Sequence, residues 1–158
     1  MSKLYLSLGS NEGDREMLLR SAIGAIGQLI GPVDGISPLV ETEPWGFESP
    51  HPFLNAALSV ETSLPAMDVL ERTQSIERQL GRRRKSVAGQ YEDRPIDIDL
   101  LLYGDLVLTS ERLTLPHPLL SERLFVLEPL AEIAPQILHP TLGKTIQTLR
   151  DELRLRLG

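Results

Sequence analysis

The 158 residues contain no cysteine. That excludes disulfide frameworks, thiolate zinc sites and cysteine nucleophiles, and it fits a reducing compartment. Histidine is nearly as scarce. His51, His117 and His139 are scattered without the spacing of a metal-binding triad, so a zinc hydrolase is not expected. No apolar run approaches the ~20 residues of a bilayer span, and the chain passes from Met1-Ser-Lys-Leu4 straight into strand-like alternation with no apolar signal core. Cations are the minority charge. Sixteen Lys+Arg face 22 Asp+Glu, a net charge of −6, so the overall field repels nucleic acid and anionic membranes. Standard phosphate loops are missing too: Gly143-Lys144-Thr145 resembles the end of one, but the required first glycine would be at position 138, which is Leu138, and no G-x-G-x-x-G occurs. The expectation is a single cytoplasmic domain over 1–158, monomeric, working on small molecules and on neither nucleic acid nor membrane.

With 41% hydrophobic residues the chain can build a core. Leu4, Leu6 and Leu8 alternate with Lys3, Tyr5 and Ser7, the period of a strand with one face buried. Asp14 can cap a helix whose apolar stripe is Leu19, Ala22, Ile23, Ile26, Leu29 and Ile30, stopped by Gly31-Pro32. Leu39 to Thr42 reads as a short strand, and the Pro- and Gly-rich stretch from Glu43 to Pro52 as a loop. Period two returns from Phe53 to Thr62, placing Phe53, Asn55 and Ala57 on one face and Leu54, Ala56 and Leu58 on the other. Pro65 suits a first helical turn, and Val69, Thr73, Ile76 and Leu80 make a stripe that Gly81 ends; on that helix Gln74 and Glu77 share an edge. Residues 82–95 have no periodicity. Ile96, Ile98, Leu100 and Leu102 then alternate with Asp97 and Asp99 as the strongest strand, and Gly104-Asp105 invites a hairpin into Leu106 to Leu108. Ser121 is a candidate cap for a helix through Leu130 that Pro129 bends or breaks, and Ile146, Leu149, Leu153 and Leu157 stripe a last helix from Thr145. Paired strands separated by helices predict an α+β fold, an α/β sandwich with a ferredoxin-like mixed or antiparallel sheet and helices packed on it.

Asp97 and Asp99, two apart on a strand, project their carboxylates from one face about 6 to 7 Å apart at the backbone. Such a pair clamps hard cations, and magnesium suits it, taking one or two carboxylates, waters and phosphate oxygens. The bland reading is a solvated strand face, but on a central strand two like charges are costly without a cation. Arg82, Arg83, Arg84, Lys85 and Arg94 put five of the sixteen cations within thirteen residues. Guanidinium forks bind phosphate oxygens bidentately, so this cluster next to a metal-binding pair suggests one site for a metal-bound polyphosphate. Arg112, Thr114 and His117 alternate in a way that could line the same site. Seven aromatics occur in the chain, yet Trp45, Phe47 and Phe53 fall within nine residues beside Asn55. Aromatic faces next to an amide can stack a flat heterocycle and read its edge; a small apolar core under a loop is the structural alternative.

Taken together, Leu8-Gly-Ser-Asn11, Glu41-Thr-Glu-Pro-Trp-Gly46, Phe53-Leu-Asn-Ala56, Glu77 with Gly81-Arg82-Arg83-Arg84, Arg94-Pro-Ile-Asp97-Ile-Asp99 and Leu115-Pro-His117 through Arg123-Leu-Phe125 resemble the 6-hydroxymethyl-7,8-dihydropterin pyrophosphokinase family over about residues 4 to 135. The resemblance implies ATP- and Mg2+-dependent transfer of a pyrophosphoryl group from ATP to the pterin hydroxymethyl, releasing AMP, in folate biosynthesis. It implies that Asp97 and Asp99 bridge two magnesium ions, and that Arg82 and Arg94 close over the phosphates as catalytic residues. By the same resemblance Phe53 and Phe125 sandwich the pterin, while Asn55, Asp97 and the segment Thr42, Glu43, Pro44, Trp45 and Gly46 complete its site. ATP, the co-substrate, would be held by Gln74, Glu77, Arg84, Arg94, Leu100, Arg112, Thr114, His117 and Arg123. Where family members commonly carry Gly-Pro before the arginine equivalent to Arg94, this chain has Glu92-Asp93. A ligand-sensing module on the same scaffold would account for the aromatic pocket but not for Arg94 beside Asp97 and Asp99, and a purely structural subunit would account for neither.

Overall fold

The computed structural model describes residues 1–43, 51–81 and 95–158. In chain order these form β1 (Ser2–Ser10), α1 (Arg15–Leu29), β2 (Val33–Ile36), β3 (Val40–Thr42), β4 (Phe53–Thr62), α2 (Ala66–Gln79), β5 (Asp97–Tyr103), β6 (Leu108–Thr109), β7 (Thr114–Leu115), a 3-10 turn at Leu120–Glu122, α3 (Leu124–Ile133) and α4 (Ile146–Leu157). The main sheet runs β2-β4-β1-β5, with β3 also on β4, and every pairing in it is antiparallel. That is the ferredoxin-like arrangement expected from paired strands between helices. No helix among the described residues is long and apolar enough to cross a membrane.

Strict alternation in β1 and β4 gives the sheet two apolar faces, and both are covered. Leu4, Leu6, Leu8, Leu58, Val60, Ile98 and Leu100 pack against α1 and α2 through Leu19, Ala22, Ile26, Val69, Leu70 and Ile76. Tyr5, Ala57 and Leu101 pack the other face against Val126, Leu127 and Leu130 of α3 and Ile146, Leu149 and Leu153 of α4. Each large side chain so buried contributes about 1.5–3 kcal/mol, which explains why a helix such as α3 survives an internal Pro129 costing about 3 kcal/mol.

Capping follows the expected chemistry at two helices. Asp14 accepts from Met17 N at 3.2 Å to start α1, and Thr145 accepts from Thr148 N at 3.1 Å to start α4. Gly81, at φ +106°, sits where α2 stops. Pro65 occupies the cap position of α2, just outside the first turn.

Three expectations are corrected, and one strand is new. The turn at Gly104-Asp105 does not fold Leu106 to Leu108 back onto β5; β6 instead pairs β7 in a separate two-stranded ribbon, and Gly104 N donates to Lys3 O. Ser121 does not cap the next helix, because Leu120–Glu122 is a 3-10 turn and α3 starts at Leu124 and runs through Pro129 to Ile133. Leu29 and Leu157 lie exposed at the last residues of their helices, where the apolar stripe has passed the edge of the sheet. β2 was not anticipated, since Val33-Asp-Gly-Ile36 carries only two apolar residues.

One irregularity governs β5. Ser7 pairs Asp99 and Leu6 pairs Leu100, but Tyr5 pairs Leu102, so Leu101 is a one-residue bulge. Beyond it the alternation resets, and Leu101 and Leu102 both join the α3–α4 side. Before it, Ile98 and Leu100 point to the α1–α2 core, and Asp97 and Asp99 therefore emerge on the opposite face.

Candidate active site

The sheet register places the chemistry in rows. Asn55 on β4 is opposite Gly9 on β1, which is opposite Asp97 on β5. The next row is Ala57, Ser7 and Asp99. Partners in a row share a face, so Asn55, Asp97 and Asp99 stand on one surface with Gly9 between the amide and the first carboxylate. A Cβ at Gly9 would lie 3.0 Å from Asn55 Oδ1 and 3.3 Å from Phe53 Cδ1. Lacking one, Gly9 lets the Phe53 ring and the Asn55 amide pack close over the β1 backbone. Gly9-Ser10-Asn11 reads in the sequence as the end of the first strand, but β1 runs through Gly9 to Ser10, and a glycine inside a strand marks close approach of another group.

Asn55 is 2% exposed, and its Nδ2 donates to Thr42 Oγ1 at 2.5 Å and toward Val40 O at 3.5 Å. The amide is thereby turned so that Oδ1 faces Gly9. Around the start of β4, Asn11 Nδ2 donates to His51 O at 3.1 Å, and Arg15 donates to Pro52 O at 2.9 Å and to Glu41 Oε2 at 2.8 Å. These bonds hold the chain entering Phe53 beside a cleft of about 280 Å3 lined by Asn11, Glu12, Gly13, Arg15, His51 and Pro52.

The outer edge of β5 is also secured. The Glu77 carboxylate accepts from Ile98 N at 2.7 Å, and His117 N donates to Leu101 O at 2.9 Å. His117 Nδ1 accepts from Leu119 N at 3.1 Å, so the neutral ring carries its proton on Nε2. Thr114, half-buried on β7, precedes it. Gln74 is half-buried on α2, and Arg112 is exposed and meets Glu71 at 3.5 Å. At the entrance to α3 the guanidinium of buried Arg123 lies 5.7 Å from the centroid of half-buried Phe125, a cation–π contact.

A family model for 7,8-dihydro-6-hydroxymethylpterin-pyrophosphokinase matches residues 5–135. The chain belongs to this pyrophosphokinase family. It is 51% identical over 141 residues to a 2-amino-4-hydroxy-6-hydroxymethyldihydropteridine pyrophosphokinase of Porphyromonas gingivalis, covering 89% of this chain and 95% of that one. It is 37% identical over 156 residues to the enzyme of that name from Aquifex aeolicus, covering 99% and 95%. A Folic acid synthesis protein fol1 from Schizosaccharomyces pombe is 39% identical over 150 residues, with this chain matching 20% of its length. Among solved structures, wild-type Plasmodium falciparum HPPK-DHPS with SDX-DHP superposes with a TM-score of 0.80 at 16% identity, over 99% of this chain and 45% of that one. This last likeness speaks for the fold.

Set against the pyrophosphokinase resemblance, the structure brings Phe53, Asn55, Asp97 and Asp99 onto one surface, with Thr42 bonded to Asn55. Pro44, Trp45, Gly46, Arg82, Arg84 and Arg94 lie outside the described residues, and Glu43 is exposed at their border. Leu100 sends its side chain into the α1–α2 core, leaving only its backbone for a ligand. Glu77 is buried, and one of its oxygens is given to the β5 backbone. The carboxylate pair fits magnesium: Asp97 and Asp99 are half-buried and stand on one face of β5. Magnesium is the cation that accepts so few protein ligands and fills its shell with water and phosphate oxygen.

Proposed function

We propose that this protein transfers the pyrophosphoryl group of ATP to the hydroxymethyl oxygen of 6-hydroxymethyl-7,8-dihydropterin, releasing AMP, a step of folate biosynthesis. The observation that carries the reading is the shared sheet face, with the Phe53 ring and the Asn55 amide packed over Gly9 on one side and Asp97 and Asp99 on the other. A flat heterocycle seated there would lie against the Phe53 ring and hydrogen-bond along its edge to Asn55 Oδ1 and the segment Thr42 to Gly46. Phe125 would close the opposite face.

The hydroxymethyl oxygen is then directed toward the carboxylate row. As it bonds to the β-phosphorus and releases its proton to solvent, the bond from that phosphorus to the α,β-bridging oxygen breaks and AMP departs. Asp97 and Asp99 would hold two magnesium ions, which would neutralise phosphate charge and align the reacting oxygens. Arg82 and Arg94 would bind the phosphates, and Gln74, Arg84, Arg112, Thr114, His117 and Arg123, with the Leu100 backbone, would place the rest of ATP. Positioning and charge neutralisation suffice for this class of transfer, so no side chain is assigned as a base. Incubation with ATP, Mg2+ and the hydroxymethyl pterin should yield AMP in step with diphosphorylated pterin. ADP as the nucleotide product, or no turnover, would overturn the reading.

A further inference from the structure

Glu77 occupies an unfavourable place for an anion. It is 2% exposed and lies in the last turn of α2, where the helix dipole presents its negative end. A carboxylate there is tolerated only in exchange for good hydrogen bonds, and one of these is with Ile98 N at 2.7 Å. Ile98 pairs Leu8 on its inner side, and among the described residues β5 is an edge strand, so the bond holds a backbone group on the open side of the sheet.

The gripped N–H belongs to the peptide joining Asp97 to Ile98. Below that peptide the Ile98 side chain is anchored in the core. The strand is thus fixed from two directions at the single residue between Asp97 and Asp99. We propose that Glu77 is a positioning residue: through the Ile98 N–H it sets the spacing and direction of the Asp97–Asp99 pair. This rests on the reading of that pair as magnesium ligands.

Substitution separates reach from charge. Glu77→Gln keeps the length and an acceptor oxygen while losing the charge; Glu77→Asp keeps the charge but draws the acceptor back by one methylene. The measurement is Mn2+ affinity in the presence of α,β-methylene-ATP, alongside pterin affinity and exchange of the Ile98 amide. Gln should bind Mn2+ within about threefold of wild type, and Asp should bind it about tenfold more weakly with a faster-exchanging Ile98 amide. Pterin affinity without metal should stay level in both. The opposite order, Asp intact and Gln weakened, would mean that charge and not the hydrogen bond matters, and would overturn the proposal. Equal Mn2+ affinity in all three proteins would overturn it as well. Asp97→Asn serves as the control: if it too leaves Mn2+ affinity unchanged, the metal reading itself has failed.

Discussion

Asn55 Nδ2 donates to Thr42 Oγ1 at 2.5 Å, diagonally across the β3–β4 pair. The contact ties the short edge strand β3 to the amide that faces Gly9, and it decides which end of that amide a ligand meets. Thr42→Val keeps the shape and removes the acceptor, leaving Nδ2 with only the long approach to Val40 O. Loss of a partner to a buried donor costs about 1–3 kcal/mol. We expect lower thermal stability and pterin affinity weakened about tenfold, with the affinity for an ATP analogue unchanged and Thr42→Ser close to wild type. Calorimetry with each ligand separates the cases; equal losses for both would mean that the bond serves the fold alone.

Gly9→Ala should leave a folded protein in which the Asn55 amide and the Phe53 ring are pushed from their places. The added methyl meets Asn55 Oδ1 at 3.0 Å and Phe53 Cδ1 at 3.3 Å, so those neighbours must give way by a few tenths of an ångström. Replacing a strand glycine recovers about 0.5–1 kcal/mol of chain entropy, and this offsets part of the crowding. Stability should therefore change little while pterin affinity falls about tenfold or more. Unaltered pterin binding by a folded variant would move the heterocycle away from Gly9.

On the proposed reading Asp97→Ala and Asp99→Ala should each abolish turnover, since one carboxylate alone would hold magnesium at the phosphates too weakly. Removing either relieves repulsion within a like-charge pair, so the melting temperature should hold or rise. Turnover near the wild-type rate at ordinary magnesium would remove these residues from the site.

Much of this layout was legible because it rests on periodicity. Alternation at Leu4, Leu6 and Leu8 and from Phe53 to Thr62 located the two central strands, and it put Phe53 with Asn55 and Asp97 with Asp99 on shared faces. Period two breaks down in β5, where Leu100, Leu101 and Leu102 are all apolar and nothing marks Leu101 as the bulge. Glu77 was legible only as sharing a helix edge with Gln74; its burial was not, because glutamate is so seldom fully buried. Its use as an edge-strand acceptor depends on a contact with Ile98, 21 residues away in sequence. The pairing of β6 with β7 is similarly non-obvious, because two-residue strands carry no periodic signal.

His139 offers a pH dependence away from the site. It is buried in the connection between α3 and α4, and its Nδ1 accepts from Leu142 N at 3.1 Å and Thr141 N at 3.3 Å. The same residue joins Lys144 O through its own N–H at 2.8 Å and Gly143 N through its carbonyl at 2.9 Å, just ahead of the Thr145 cap of α4. Burial pushes the imidazole below its ordinary value of 6.5, and protonation at Nδ1 would turn an acceptor into a donor facing two N–H groups, with the Thr141 hydroxyl at 3.2 Å as its acceptor. In the unfolded chain the ring takes up its proton near pH 6.5, whereas the folded protein resists until lower pH. The stabilisation is therefore complete above 6.5 and is lost as pH falls from there through the folded value. His139→Asn keeps an acceptor oxygen near the Nδ1 position and cannot titrate, so its stability should lack this term. We expect the melting temperature of wild type relative to His139→Asn to be highest at pH 7–8 and to decline toward pH 5. His51 and His117 are common to both proteins and cancel in the difference. A constant difference across pH 5–8 would show that His139 does not titrate with unfolding.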